Sequence, residues 1–179
     1  MGALVLTLPD LTLVLGGAAS GKSTFAEGLV LRSGRPRAYL ATAQTFDDEM
    51  RAKVERHQTM RGDGWRTIEA PLDLAPALAG ARADEAVLLD CATMWLSNHM
   101  LAESDFAAAE TALFAALTQC AAPVVVVSNE VGLSVVPENA LARRFREAQG
   151  RLNQRLAAEA SLVVNVIAGL PQVLKGHLP

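Results

Sequence analysis

Residues 16–23 read Gly16-Gly17-Ala18-Ala19-Ser20-Gly21-Lys22-Ser23, an unbroken G-x-x-x-x-G-K-S run. Its flanks constrain the fold as much as the run itself. Leu11-Thr12-Leu13-Val14-Leu15 before it is apolar and β-prone, and Thr24-Phe25-Ala26-Glu27-Gly28-Leu29-Val30 after it continues as a helix. Strand, glycine loop and helix in that order turn backbone N–H groups and the positive end of a helix dipole toward a chain of phosphates. In such a loop the lysine, Lys22, reaches the β and γ phosphates, and the next hydroxyl, Ser23, holds Mg²⁺. These residues predict a nucleoside triphosphate site at Gly16–Ser23.

Further strands are predicted at Arg37–Ala41, Trp65–Ile68, Ala86–Asp90, Val124–Ser128 and Leu162–Ala168. The runs Val124-Val125-Val126-Val127 and Leu162-Val163-Val164-Asn165-Val166-Ile167 are nearly continuous in β-branched residues, as strands covered on both faces are. Helical patterns fall between them, at Gly21–Ser33, Phe46–Met60, Leu72–Ala81, Phe106–Cys120 and Ala140–Ala160. The last carries a stripe of Leu141, Phe145, Ala148, Leu152 and Leu156, surrounded by arginines. Alternating strands and helices, with the glycine loop after the first strand, predict a three-layer α/β P-loop nucleotide-binding fold with a mainly parallel central sheet.

The 179 residues suit one domain, with residues 1–10 as an extension ahead of the first strand. A hydrophobic content of 51% with only 4% aromatics implies an aliphatic, alanine-rich core. The net charge of −3 argues against sequence-independent nucleic-acid binding, which needs a basic surface. Cys91 and Cys120 lie in apolar surroundings without metal-ligand spacing and read as buried thiols of a reducing compartment. No apolar stretch reaches the roughly 18 residues of a membrane span, so a cytoplasmic protein is expected.

Ala86-Val87-Leu88-Leu89-Asp90 is an apolar strand ending in a carboxylate. Beside a phosphate loop such an aspartate holds Mg²⁺, directly or through water. A turn-capping role is the plainer alternative for Asp90. Farther upstream, Phe46, Met50, Val54 and His57 recur at helical spacing, which puts His57 near the inward edge of that helix. Taken alone, this describes a partly buried histidine with a satisfied hydrogen bond.

A wider pattern changes that reading. The residues that carry it are the loop Gly16–Ser23, Tyr39-Leu40-Ala41-Thr42-Ala43, Asp47-Asp48-Glu49-Met50, Arg56-His57 and Gly64-Trp65-Arg66-Thr67. They continue through Leu88-Leu89-Asp90-Cys91, Trp95-Leu96-Ser97-Asn98, Ser128-Asn129-Glu130-Val131-Gly132 with Pro137, Arg144-Phe145-Arg146, Gly150 and Asn153-Gln154. From Leu11 to about Gly176 the chain resembles the bifunctional adenosylcobinamide kinase / adenosylcobinamide-phosphate guanylyltransferase family of cobalamin biosynthesis.

The resemblance implies two reactions. A nucleoside triphosphate, ATP or GTP, phosphorylates the aminopropanol hydroxyl of adenosylcobinamide; GMP from GTP then joins adenosylcobinamide phosphate through a guanylylated histidine, which corresponds to His57. Some members carry paired histidines where this chain has Arg56-His57. Imidazole suits such a carrier, because with an unperturbed pKa near 6.5 it is roughly three-quarters neutral at pH 7. By the same resemblance Thr42, Ala43, Gln44, Gln58, Thr59, Met60, Arg61 and Glu69 are nucleotide-contacting candidates, beside the strand-end carboxylate Asp90 already placed at the nucleotide, and a homo-oligomer, a trimer, is expected. Glu130, after a central strand, is a candidate for orienting substrate or metal. Arg144, Arg151 and Arg155 are either phosphate neutralisers or a solvated helix face; His99 and His177 have no supporting pattern. Two rivals stand beside this reading: a small-molecule P-loop kinase without guanylyl transfer, and a switch-type GTP-binding module. The latter is weakened by the absence of an N-K-x-D base-reading motif.

Overall fold

Seven strands form one sheet in the order β3-β2-β4-β5-β1-β6-β7 in a computed structural model that describes residues 6–44 and 63–179. The strands are β1 (Leu11–Gly16), β2 (Arg37–Ala41), β3 (Trp65–Glu69), β4 (Ala86–Asp90), β5 (Val124–Asn129), β6 (Leu162–Ile167) and β7 (Leu170–Lys175). The described helices are α1 (Lys22–Arg32), α2 (Ala75–Ala79), α3 (Ala92–Leu101), α4 (Phe106–Gln119) and α5 (Ala140–Glu159). All strand pairs are parallel except β6 with β7. The predicted helix Phe46–Met60 lies outside the described residues.

Alternation along the buried strands divides the core in two. Leu13, Leu40, Val87, Leu89, Val124, Val126 and Val163 face one side, under α2, α3, α4 and α5. Val14, Tyr39, Leu88, Val125, Val127 and Val164 face the other, where Ala26, Leu29 and Val30 of α1 pack. Trp95 and leucines dominate the largest fully buried side chains, consistent with the aliphatic composition. Each fully buried leucine contributes about 1.5–3 kcal/mol relative to exposure.

Three elements differ from the sequence expectation. The helix expected over Leu72–Ala81 shrinks to Ala75–Ala79, because the Leu72 carbonyl accepts hydrogen bonds from Trp95 Nε1 (2.7 Å) and His99 Nε2 (3.1 Å). The Asp73 carboxylate accepts from the Ala75 N–H, and Leu74, without a side-chain cap bond, is the residue from which the helix starts. Residues 92–101, read only as a motif, form α3, started by the Cys91 sulfur accepting from Met94 N–H. Residues 170–175 form β7, joined to β6 by Ala168 and Gly169, both at positive φ (51° and 78°), as a two-residue hairpin turn requires. Residues 6–10, the described part of the extension, lie against the body of the fold: Leu6 N–H donates to Arg32 O, Leu8 is buried, and Asp10 O accepts from Val124 N–H.

β1 and β5 are neighbours whose outgoing helices, α1 and α5, cover opposite faces. A crevice therefore opens at their carboxyl ends, the place where α/β sheets bind ligands.

Candidate nucleotide site

The glycine loop occupies that crevice. Its turn is tied by Ser20 N–H to Gly17 O (3.3 Å), and α1 starts with Phe25 N–H donating to Gly21 O (3.0 Å). Gly21 has φ 91°, a left-handed conformation, and a Cβ there would meet Gly169 Cα at 3.1 Å. The hairpin turn between β6 and β7 thus braces the loop, and Gly169 N–H donates to Ser20 O at 2.8 Å. The sequence signal for that contact is the Ala168-Gly169 pair between two apolar runs. Gly21 supplies no side-chain cap and the first turn of α1 holds no acid, so the helix terminus keeps its affinity for an anion. Lys22 Nζ donates to Gly17 O at 3.0 Å, across its own loop. Ala18 and Ala19 are exposed, and the Ser20 hydroxyl is shielded without a partner among the described residues.

Asp90 ends β4 on the same rim, and Tyr39 O–H donates to its Oδ2 at 3.2 Å. The turn after it is capped by Cys91, not by Asp90. Burial first, and then the Asp90 charge, push the Cys91 thiol up to about 11 despite nearby Lys22. Cys91 is accordingly a neutral, buried thiol, whereas Cys120 is half-buried. Among the described residues no three His, Cys, Asp or Glu side chains converge. A Mg²⁺ held by one or two protein oxygens plus substrate phosphates needs no such cage, and the Ser23 hydroxyl and Asp90 carboxylate are donors of that hard type.

The other candidates divide. Thr42 is fully buried, and its hydroxyl is consumed by the Cys91 backbone: it donates to Cys91 O (2.8 Å) and accepts from Cys91 N–H (2.8 Å). Asn98 Nδ2 donates to Thr42 O at 2.7 Å, so this residue welds β2 to the start of α3. Ala43 and Gln44 follow on the rim, half-buried. Glu69 is exposed at the end of β3, four strand spacings or about 19 Å from β1. His57, Gln58, Thr59, Met60 and Arg61 lie outside the described residues.

Glu130 follows β5 directly. Its N–H donates to Gly16 O (3.0 Å), and its Oε1 accepts from Gly132 N–H (2.5 Å). Arg155 is spent elsewhere, on Glu110 (2.6 Å) and the Phe114 ring (4.3 Å), and Arg151 faces Glu147 (3.7 Å) on the exposed helix surface. Arg144 is exposed, as is His177; His99 is buried beside Trp95. An apolar cavity of about 190 Å³ lies next to His99, lined by Leu72, Leu74, Trp95 and Leu113 on the α2–α4 side. No helix of the described residues is long and apolar enough to cross a membrane.

The architecture is shared with the flagellar accessory protein FlaH from Methanocaldococcus jannaschii, at a TM-score of 0.53 and 12% identity over 95% of this chain and 80% of that one, a likeness of fold alone. Sequence relatives are much nearer. The bifunctional adenosylcobalamin biosynthesis protein CobP of Pseudomonas aeruginosa is 42% identical over 168 residues, 92% of this chain and 97% of that protein. The CobU proteins so described in Salmonella typhimurium and Escherichia coli are 43% and 42% identical over 91% of this chain and 98% of their own lengths. The family model for CobU, cobinamide kinase / cobinamide phosphate guanyltransferase, matches residues 12–174, from the strand that feeds the phosphate loop to the strand that closes the sheet. With its glycine loop braced in the crevice of this sheet, the chain belongs to the cobinamide kinase / cobinamide phosphate guanyltransferase family.

Proposed function

We propose that this chain phosphorylates adenosylcobinamide and then converts adenosylcobinamide phosphate to adenosylcobinamide-GDP, both on one domain. The observation that carries the reading is a complete phosphate loop in strand–loop–helix geometry, within a chain that matches the family over residues 12–174.

In the first reaction ATP or GTP lies along Gly16–Ser23, with Lys22 lifted from Gly17 O onto the phosphates. The acceptor oxygen bonds to the γ-phosphorus as the bond to the β–γ bridging oxygen breaks, the nucleoside diphosphate leaves with that bond's electron pair, and the hydroxyl proton is released to water. Glu130, hydrogen-bonded through its backbone to Gly16, orients that hydroxyl. Ser23 and Asp90 hold Mg²⁺, which when bound offsets charge on the phosphates. In the second reaction a ring nitrogen of His57 bonds to the α-phosphorus of GTP and pyrophosphate leaves. A phosphate oxygen of the acceptor then displaces the imidazole, so one transfer becomes two easier displacements. Glu69 pairs with the N1–H and N2–H₂ groups of guanine. Its distance from β1 supports a different placement of GTP in this second step.

Incubation with α-labelled GTP and Mg²⁺ tests the transferase half. Acid-labile, alkali-stable label on the denatured protein is expected, and its absence in a preparation that turns over GTP would refute covalent transfer. His57→Ala is expected to keep the kinase reaction and lose guanylyl transfer; loss of both in a folded variant would make His57 structural or common to both sites.

A further inference from the structure

Behind the phosphate crevice lies a buried polar cluster to which neither proposed reaction assigns a role. Ser128, the next-to-last residue of β5, is fully buried, as is Gln149 on α5; Thr93 and Asn153 are 5% and 6% exposed. Ser128 O–H donates to Asn153 Oδ1 (2.6 Å), which leaves its oxygen to accept from Gln149 Nε2 (2.9 Å). Gln149 Nε2 also reaches Asn153 Oδ1 (2.9 Å), and Thr93 Oγ1 stands 3.5 Å from Ser128 Oγ.

Among the described residues the cluster reaches out to the backbone of Asn129. Asn129 N–H donates to Thr93 Oγ1 of α3 (2.8 Å), and Asn129 O accepts from Asn153 Nδ2 of α5 (3.0 Å). Two helices therefore grip one residue, and that residue is level with Gly16 across the parallel ladder. The next N–H, that of Glu130, donates to Gly16 O. One turn back along α5, Arg146 Nη2 donates to Gly132 O (2.6 Å) and fixes the far end of the same turn.

Stability alone does not account for these residue types. Gln149 Oε1 is buried without a partner among the described residues, a cost an aliphatic side chain would avoid. What an amide and hydroxyl cluster adds is a single allowed geometry. We infer that Thr93, Ser128, Gln149 and Asn153 are positioning residues for phosphoryl transfer, setting the Asn129–Glu130 wall of the crevice at a fixed distance from the phosphate loop. The inference rests on the kinase reading above. A displacement of about 1 Å in such a wall costs on the order of a hundredfold in rate, while nucleotide held by the loop itself is little affected.

The test is steady-state phosphorylation of adenosylcobinamide by wild type, Thr93→Val, Thr93→Ser and Asn153→Leu, each with a thermal melt. Valine keeps the shape of threonine and removes the acceptor for Asn129 N–H; serine restores it. Thr93→Val is expected to lower kcat about ten- to a hundredfold with the nucleotide KM within about threefold of wild type, and Thr93→Ser to recover within about threefold. Asn153→Leu, which releases Asn129 O from the other helix, is expected to show the same split and decides the matter where Thr93→Val does not fold. A folded Thr93→Val or Asn153→Leu enzyme with wild-type kcat overturns the inference, as does Thr93→Ser as slow as Thr93→Val. A wild-type protein with no phosphoryl transfer would refute the kinase reading, and this role with it.

Discussion

Gly21→Ala and Gly17→Ala are the same chemical change four residues apart in one loop, and their predicted effects are opposite. Gly21 has φ 91°, where an alanine backbone costs about 1–2 kcal/mol. Its new Cβ would also stand 3.1 Å from Gly169 Cα, a backbone atom that must move although Gly169 N–H is tied to Ser20 O. Forced contacts of this kind add about 1–3 kcal/mol. The total, about 2–5 kcal/mol, lowers Tm by about 5–15 °C in a chain of this size. At Gly17 an added Cβ meets nothing within 4 Å. Alanine there restricts the unfolded chain and leaves Tm unchanged or a few degrees higher. Circular-dichroism melts without nucleotide measure both. A Gly21→Ala melt within 1 °C of wild type, or a Gly17→Ala loss of similar size to the Gly21→Ala one, would refute the braced-loop geometry.

Other outcomes follow from the same structure. Lys22→Ala is expected to slow phosphoryl transfer by at least about a hundredfold, roughly 3 kcal/mol of lost charge stabilisation, in an initial-rate assay at saturating nucleotide. Glu85 is buried and accepts from Arg66 (3.0 Å) and from Arg82 N–H (2.9 Å). Burial acts to raise its pKa, but the Arg82 N–H and the Arg66 and Arg82 charges outweigh it, and the net shift is below 4.5. Its folded-state pKa being depressed, the stabilisation is present above about pH 4.5 and is lost as pH falls through the lower folded value. Glu85→Gln is expected to flatten that acid limb in urea melts across pH 3–6, and a limb as steep as wild type would contradict the assignment. Cys91, shifted to about 11 by burial and Asp90, is expected to resist a thiol reagent at pH 8 until the protein unfolds, while half-buried Cys120 reacts in the native state.

The sheet was legible because its signal is local. The β-branched run at 124–127, the nearly continuous one at 162–167 and the strand before Gly16 have few other ways to be buried. Helix α3 was hidden because Trp95, Leu96, Asn98 and His99 are all buried, so that segment shows no polar stripe against which a period can be read. Strand β7 was hidden for the opposite reason, since all six of its residues are exposed at the sheet edge. The stripe on α5 was read correctly for Leu152 and Leu156, but Leu141 is half-exposed, and Gln149 and Asn153 occupy buried positions that a search for apolar residues passes over. The phosphate loop could be read directly from spacing. Its supports, Gly169 from one side and Glu130 from the other, come from segments more than a hundred residues distant and follow only from strand order.

The covalent step gives the most direct test of the whole account. Protein incubated with GTP and Mg²⁺, without acceptor, is digested at alkaline pH and its peptides are mapped by mass spectrometry. A GMP adduct on the peptide containing His57, discharged when adenosylcobinamide phosphate is added, is the predicted result. Formation of adenosylcobinamide-GDP with no adduct at His57, or with the adduct on another residue, would contradict it.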